Sequence, residues 1–98
     1  MKATELFQQR IVYADNRFAE LLLWRFPKLL PGSKHCFKYR LAYVVDETCV
    51  LRYDNEAGKG DHRHWGGKER NYEFSNLKQL LVDFQEDIER WNHENGNS

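Results

Sequence analysis

Ninety-eight residues, 41% hydrophobic and 14% aromatic, suffice for one domain with a modest core and no need of staples. Fifteen Lys and Arg balance fifteen Asp and Glu, so the molecule as a whole has no electrostatic pull on nucleic acid. No apolar run approaches the 18 or more residues of a spanning helix, and the first ten residues lack a signal-peptide core, which together predict a cytoplasmic protein with no membrane partner.

Residues Gln8–Tyr13 and Arg17–Phe26 read as two strands joined at Asp15-Asn16, because Asp and Asn tolerate the positive φ of tight hairpins. That loop would set Tyr13 opposite Phe18. Leu21-Leu22-Leu23 is apolar on both faces, as an internal strand requires. Pro27 ends it, since proline cannot donate to a ladder, and a loop through Pro31-Gly32 follows. Cys36–Val45 is the clearest strand: Phe37, Tyr39, Leu41, Tyr43 and Val45 alternate with Lys38, Arg40, Ala42 and Val44. Thr48–Asp54 returns antiparallel to it. A two-residue loop at Asp46-Glu47 makes paired positions sum to 93. Lys38, Arg40, Tyr53 and Asn55 would then share one face, and Tyr39, Arg52 and Asp54 the other. Cys36 and Cys49 lie too far apart in this register for a disulfide and read as small buried residues.

Residues 51–70 then lose all hydrophobic periodicity. They hold four of the six glycines, His62, His64 and five cations, and read as a long polar loop of the kind that carries function. A short strand at Asn71–Phe74 precedes the one confident helix, Asn76–Trp91. Its apolar stripe is Leu77, Leu80, Leu81, Phe84, Ile88 and Trp91. Ser75 or Asn76 can cap it, and Gln79 stands three residues beyond Asn76. Lys78, Asp83, Glu86, Asp87 and Glu89 fill its outer face. The fold class is therefore α+β: a small antiparallel β-meander of about four or five strands packed against one C-terminal amphipathic helix, as a single domain 1–98 with a core of about 8–91 and a frayed tail at 92–98.

Charge is unevenly spread. Residues 17–40 carry six cations against Glu20, whereas residues 73–98 carry six anions against two cations. A basic sheet and an acidic helix suit a protein that binds a polyanion on one side and something else on the other.

The chemistry concentrates in Lys59, Asp61, His62, Arg63 and His64. Histidines one residue apart on an extended segment point to the same side. Two imidazoles near neutral pKa can divide the proton transfers by which RNA is cut through its own 2′-hydroxyl. Lys59 or Arg63 would stabilise the crowded negative phosphorus centre. Lys38, Arg40, Arg52, Tyr53, Asp54, Asn55 and Trp65 are the candidate substrate or phosphate contacts, through charge, hydrogen bonding or stacking. Three other readings stand beside this one. The histidines can be incidental residues of a polar loop. His62 and His64 with Asp61 or Asp54 could form a two-His-one-carboxylate metal set, although no further ligand lies at a familiar spacing. Alternatively the chain is a non-catalytic binding module acting by partner occupation, with Trp65 and the helix as its interface. No metal and no cofactor are expected.

The run Tyr39-Arg40-Leu41-Ala42-Tyr43-Val44-Val45-Asp46, then Leu51-Arg52-Tyr53-Asp54-Asn55-Glu56-Ala57-Gly58-Lys59-Gly60-Asp61-His62-Arg63-His64, resembles the small TumE-like toxins of prokaryotic type II toxin–antitoxin systems. So does Tyr72-Glu73-Phe74 followed by Leu77, Leu80, Leu81, Asp83, Phe84 and Asp87. The similarity covers roughly residues 8–91, with Arg-Tyr-Asp-Asn and Gly-Asp-His-x-His its most specific parts. It implies a growth-inhibiting toxin whose partner is a helix-turn-helix antitoxin. It brings no established catalytic residues, so the ribonuclease reading, with RNA as target, comes from the residues and from how common RNA-cleaving toxins are. A homodimer is among the assemblies left open. Asp46-Glu47 stands where the resemblance leads one to expect Asp-Gly.

Overall fold

The computed structural model describes residues 2–56 and 58–96. Among these described residues six strands precede one helix: β1 Thr4–Ala14, β2 Arg17–Arg25, β3 Phe37–Val45, β4 Thr48–Glu56, β5 Gly60–Trp65, β6 Lys68–Asn71 and α1 Leu77–Glu94. The strands lie in chain order in a single antiparallel sheet. The α+β meander with its C-terminal helix is thus present, with one strand more than the upper expectation. Strands β5 and β6 both come from the segment expected to be a loop, and the short strand expected at Asn71–Phe74 is absent beyond Asn71, which ends β6. The 51–70 segment is not a long loop but the end of β4, a turn, and the β5–β6 hairpin.

The core lies between the helix and one face of the sheet. Ala19, Leu21 and Leu23 of β2, Tyr39, Leu41, Tyr43 and Val45 of β3, and Leu51 and Tyr53 of β4 pack there against Leu80, Phe84 and Ile88 of α1. The helix begins at the expected cap, where Asn76 Oδ1 accepts from the Gln79 N–H at 2.8 Å. It runs to Glu94, into the expected tail; Asn97 and Ser98 lie outside the described residues. Asp87 is a correction to the expected outer face. It follows Phe84 by three residues, so it shares the inward side of the helix and is buried.

Both hairpin turns sit where expected, but each register differs by a bulge. At β1–β2, Val12 rather than Tyr13 lies opposite Phe18, and a shift between Val12 and Ala14 absorbs the difference. Neither Asp15 nor Asn16 takes positive φ; Asp46 (50°) and Glu47 (67°) do. At β3–β4, Val45 pairs Thr48 and Val44 pairs Cys49, summing to 93 as predicted. Tyr43 then pairs Leu51, leaving Val50 without a partner, and from there positions sum to 94. That single extra residue moves every side chain beyond it to the other face. The expected cluster of Lys38, Arg40, Tyr53 and Asn55 therefore does not form. Tyr53 and Asn55 turn into the core at 0% and 2% exposure, and Arg52 and Asp54 join Arg40 on the face without a helix.

The loops at the far end of the sheet are tied together. Gly58 N–H donates to Pro31 O at 2.6 Å, joining the β2–β3 connection to the β4–β5 turn. A Cβ on Gly32 would stand 3.0 Å from Gly58 Cα, so only glycine fits this approach. Both cysteines are free; Cys36 is half-buried, and Cys49 is exposed rather than buried, since it lies at the second position of β4 on the uncovered face opposite Val44.

Candidate active site

Strand β5 divides the candidate residues between two sides. Its partners in β4 and β6 define rows across the sheet. On the uncovered face one row is Leu22, Arg40, Asp54, His62, Asn71, and the next is Glu20, Ala42, Arg52, His64, Glu69. On the helix face the rows end in Tyr53, Arg63, Arg70 and in Leu51, Trp65, Lys68. His62 and His64 do point to one side, as their spacing predicts, but Arg63 and Trp65 point to the other. Lys59 sits on the exposed β4–β5 turn, 3.5 Å from Glu56.

The uncovered side carries a compact group of titratable side chains. His62 Nδ1 stands 3.9 Å and His64 Nε2 3.6 Å from the same oxygen, Glu69 Oε1. His64 Nε2 is also 3.2 Å from Arg52 Nη2 and 3.6 Å from Asp54 Oδ1. Arg52 Nε lies 3.0 Å from Asp54 Oδ2, yet the angle is too poor for a hydrogen bond, so this buried nitrogen is not satisfied. Both imidazoles are four-fifths or more buried, with side-chain exposures of 17% and 20%, whereas Glu69 is 57% exposed. Two largely buried imidazoles thus face one carboxylate that is open to solvent. Lys38, at the rim, is anchored by its Nζ to Asn55 O, and Arg40 is exposed.

Beneath the sheet, residues named as substrate contacts perform structural work. Asn55 Oδ1 accepts from Tyr39 N–H at 3.0 Å and its Nδ2 donates to Phe37 O at 2.7 Å. The β3–β4 register ends at the Arg40–Asp54 pair, so this side chain continues the ladder the backbone has left. Tyr53 donates its hydroxyl to Asp87 Oδ2 at 2.7 Å, and Arg63 Nη2 pairs with the same oxygen. Burial first, and then the Asp87 carboxylate, push the Tyr53 hydroxyl well above its ordinary pKa. Tyr39 is shifted upward likewise by burial and by Asp61, and Tyr72 by burial and by Asp83.

Sequence reasoning missed His35 and Glu69. His35 Nδ1 accepts from Phe37 N–H at 3.1 Å, which fixes the tautomer that donates from Nε2 to Asp61 at 2.7 Å. Its ring packs 4.0 Å from that of Phe74. Nothing in Pro31-Gly32-Ser33-Lys34-His35 signals this partner, since Asp61 is 26 residues away. Asp61 therefore sits on the opposite side of β5 from His62 and His64. Among the described residues, no three His, Cys, Asp or Glu side chains are grouped to hold a metal ion. Glu69 could have been found only from the β5–β6 register.

An open antiparallel sheet, helix-backed on one side and bearing paired imidazoles with arginines on the other, defines a small α+β protein with one polar, uncovered face. The family model described as Toxin TumE matches residues 2–92, nearly the whole chain, and the chain belongs to this toxin family. Membership bears out the resemblance carried by the Arg-Tyr-Asp-Asn and Gly-Asp-His-x-His segments, and a toxin of this kind implies an antitoxin partner. No curated protein and no solved structure matches the chain. Among the described residues, no helix is long and apolar enough to cross a membrane.

Proposed function

We propose that the protein is the toxin of a type II toxin–antitoxin module and inhibits growth in the cytoplasm as a metal-independent ribonuclease. The observation that supports this most is the convergence of His62 and His64 on one oxygen of Glu69, on the side of the sheet the helix leaves open. A scissile phosphate in place of that carboxylate would face both imidazoles. The neutral one takes the 2′-proton as the 2′-oxygen bonds to phosphorus. The protonated one gives its proton to the departing 5′-oxygen as the P–O5′ bond breaks, leaving a cyclic phosphate. Arg52, next to His64 in its row, and Arg40, one strand beyond Asp54 in the row of His62, meet the negative charge that builds on the non-bridging oxygens. A helix-turn-helix antitoxin would neutralise the toxin by covering this open face.

The test is expression with and without His62→Ala or His64→Ala, following growth and RNA integrity, and then cleavage by the purified chain across pH. Each substitution should lower the cleavage rate by roughly 10²–10⁴-fold, and the wild type should show a bell-shaped pH profile. Full toxicity and intact cleavage in both variants would remove the histidines from these roles. Toxicity with no RNA cleavage by the wild type would favour a binding module that occupies its target.

A further inference from the structure

A second polar concavity lies on the helix side of the β5–β6 hairpin, around the other edge of the same strands. Arg63, Trp65, Lys68, Arg70 and Arg90 line a cavity of about 260 Å³. Four of these five are cations. Two have anionic neighbours: Arg63 pairs with Asp87, and Arg90 Nε lies 3.4 Å from Glu94. Arg90 also lays its guanidinium over the Trp65 ring, 4.2 Å from the centroid. Among the described residues, the side chains of Lys68 and Arg70 make no ion pair or hydrogen bond. The register makes the arrangement odder. Arg63 and Arg70 lie directly opposite each other across the hairpin, and like charges so placed are destabilising. On the other side of this hairpin the pair is His64 with Glu69, of compatible charge. Asp87 offsets part of this repulsion at Arg63, and an anion seated beside Arg70 would offset the rest.

We propose that this cavity holds a phosphate group of a single-stranded nucleic acid that wraps around the β6 edge, one nucleotide group in the basic cavity and the scissile phosphate between His62 and His64. The inference rests on the ribonuclease reading for the second half of that path and deepens it by naming the form of the substrate. The volume is slightly below the roughly 300 Å³ at which small-molecule sites begin, so it suits one phosphate rather than a whole ligand. Planar guanidiniums match the fork of phosphate oxygens. The edge strand has only four residues, and the two sides of a sheet with its side chains are about 10 Å apart. A single strand can bend over such an edge within a few nucleotides, and a stiff duplex cannot.

The probe is a 2′-O-methyl oligoribonucleotide, which the proposed chemistry cannot cut, bound to the full chain and followed by fluorescence anisotropy over a salt series. Lys68→Ala with Arg70→Ala removes two exposed side chains that hold nothing else in the fold. The double variant should bind at least tenfold more weakly, and the slope of log affinity against log salt should shrink by roughly 1.4, two single-strand phosphate contacts at about 0.7 each. Unchanged affinity in the double variant overturns the inference, as does equal or tighter binding of duplex RNA, or displacement of the probe by an oligoglutamate peptide of equal charge. Binding through Lys68 and Arg70 without cleavage of any RNA would leave the cavity standing and overturn the catalytic reading alone. Cleavage by the double variant with unaltered KM would do the reverse.

Discussion

Asn55 shows how a residue type can mislead about its role. A strand-end Asn beside Arg, Tyr and Asp looks like a ligand contact, but its amide bridges the backbones of Phe37 and Tyr39. Asn55→Ala would strand a buried N–H and a half-buried C=O together, and should cost about 2–4 kcal/mol in urea denaturation. Loss of less than about 0.5 kcal/mol would mean that water replaces the amide there. His62 and His64 were legible because alternation along a strand needs no knowledge of the partner strand. The Asp61–His35 and Asp87–Arg63 pairs, 26 and 24 residues apart, were not. Nothing local distinguishes a carboxylate that will be covered from one that will stay in water.

Elements with a strong apolar period, β2, β3 and α1, were readable with their ends nearly in place. Strands β5 and β6 were not, because β5 is polar on both faces and β6 is exposed throughout, so the period-two signal that betrays a strand is missing. What holds them is backbone pairing and turn chemistry. The β3–β4 turn exposes one weakness of the sequence: Glu47 sits at φ 67°, a region that costs a residue with a Cβ roughly 1–2 kcal/mol. Glu47→Gly relieves that strain and gives back part of it as extra freedom of the unfolded chain. The net expectation is a gain of about 0.5–1 kcal/mol, read as a higher urea midpoint at unchanged slope. A lower midpoint would show that the Glu47 side chain supports the turn in a way its backbone conformation hides.

Beside the apolar core, tyrosine–carboxylate contacts tie the helix down, Tyr53 of β4 to Asp87 and Tyr72 of the segment after β6 to Asp83, with Tyr39 to Asp61 closing the far end. Their hydroxyls are all held above the ordinary tyrosine value. In the unfolded chain they ionise near pH 10. Raised folded values mean that the native state binds more protons above that pH, so stability is fully present below about pH 10 and falls as pH rises further. Phenolate absorbance of these tyrosines should appear together with loss of helical circular dichroism in an alkaline titration. Phenolate signal from all the tyrosines in a still-helical protein would break the link.

The unpaired Val50 has a reach far beyond its own position. It serves β4 as a frame setter, in the sense in which an added base sets the frame of a message. Upstream of it the strand is read in one frame, and downstream every second residue changes meaning. Tyr53 becomes a beam, Arg52 turns to the open face, and β5, which takes its register from β4, inherits the choice. Insertions or deletions between Asp46 and Arg52 are therefore frameshifts in space: they would leave the composition of the chain almost untouched while exchanging the open face of β4 for its core face.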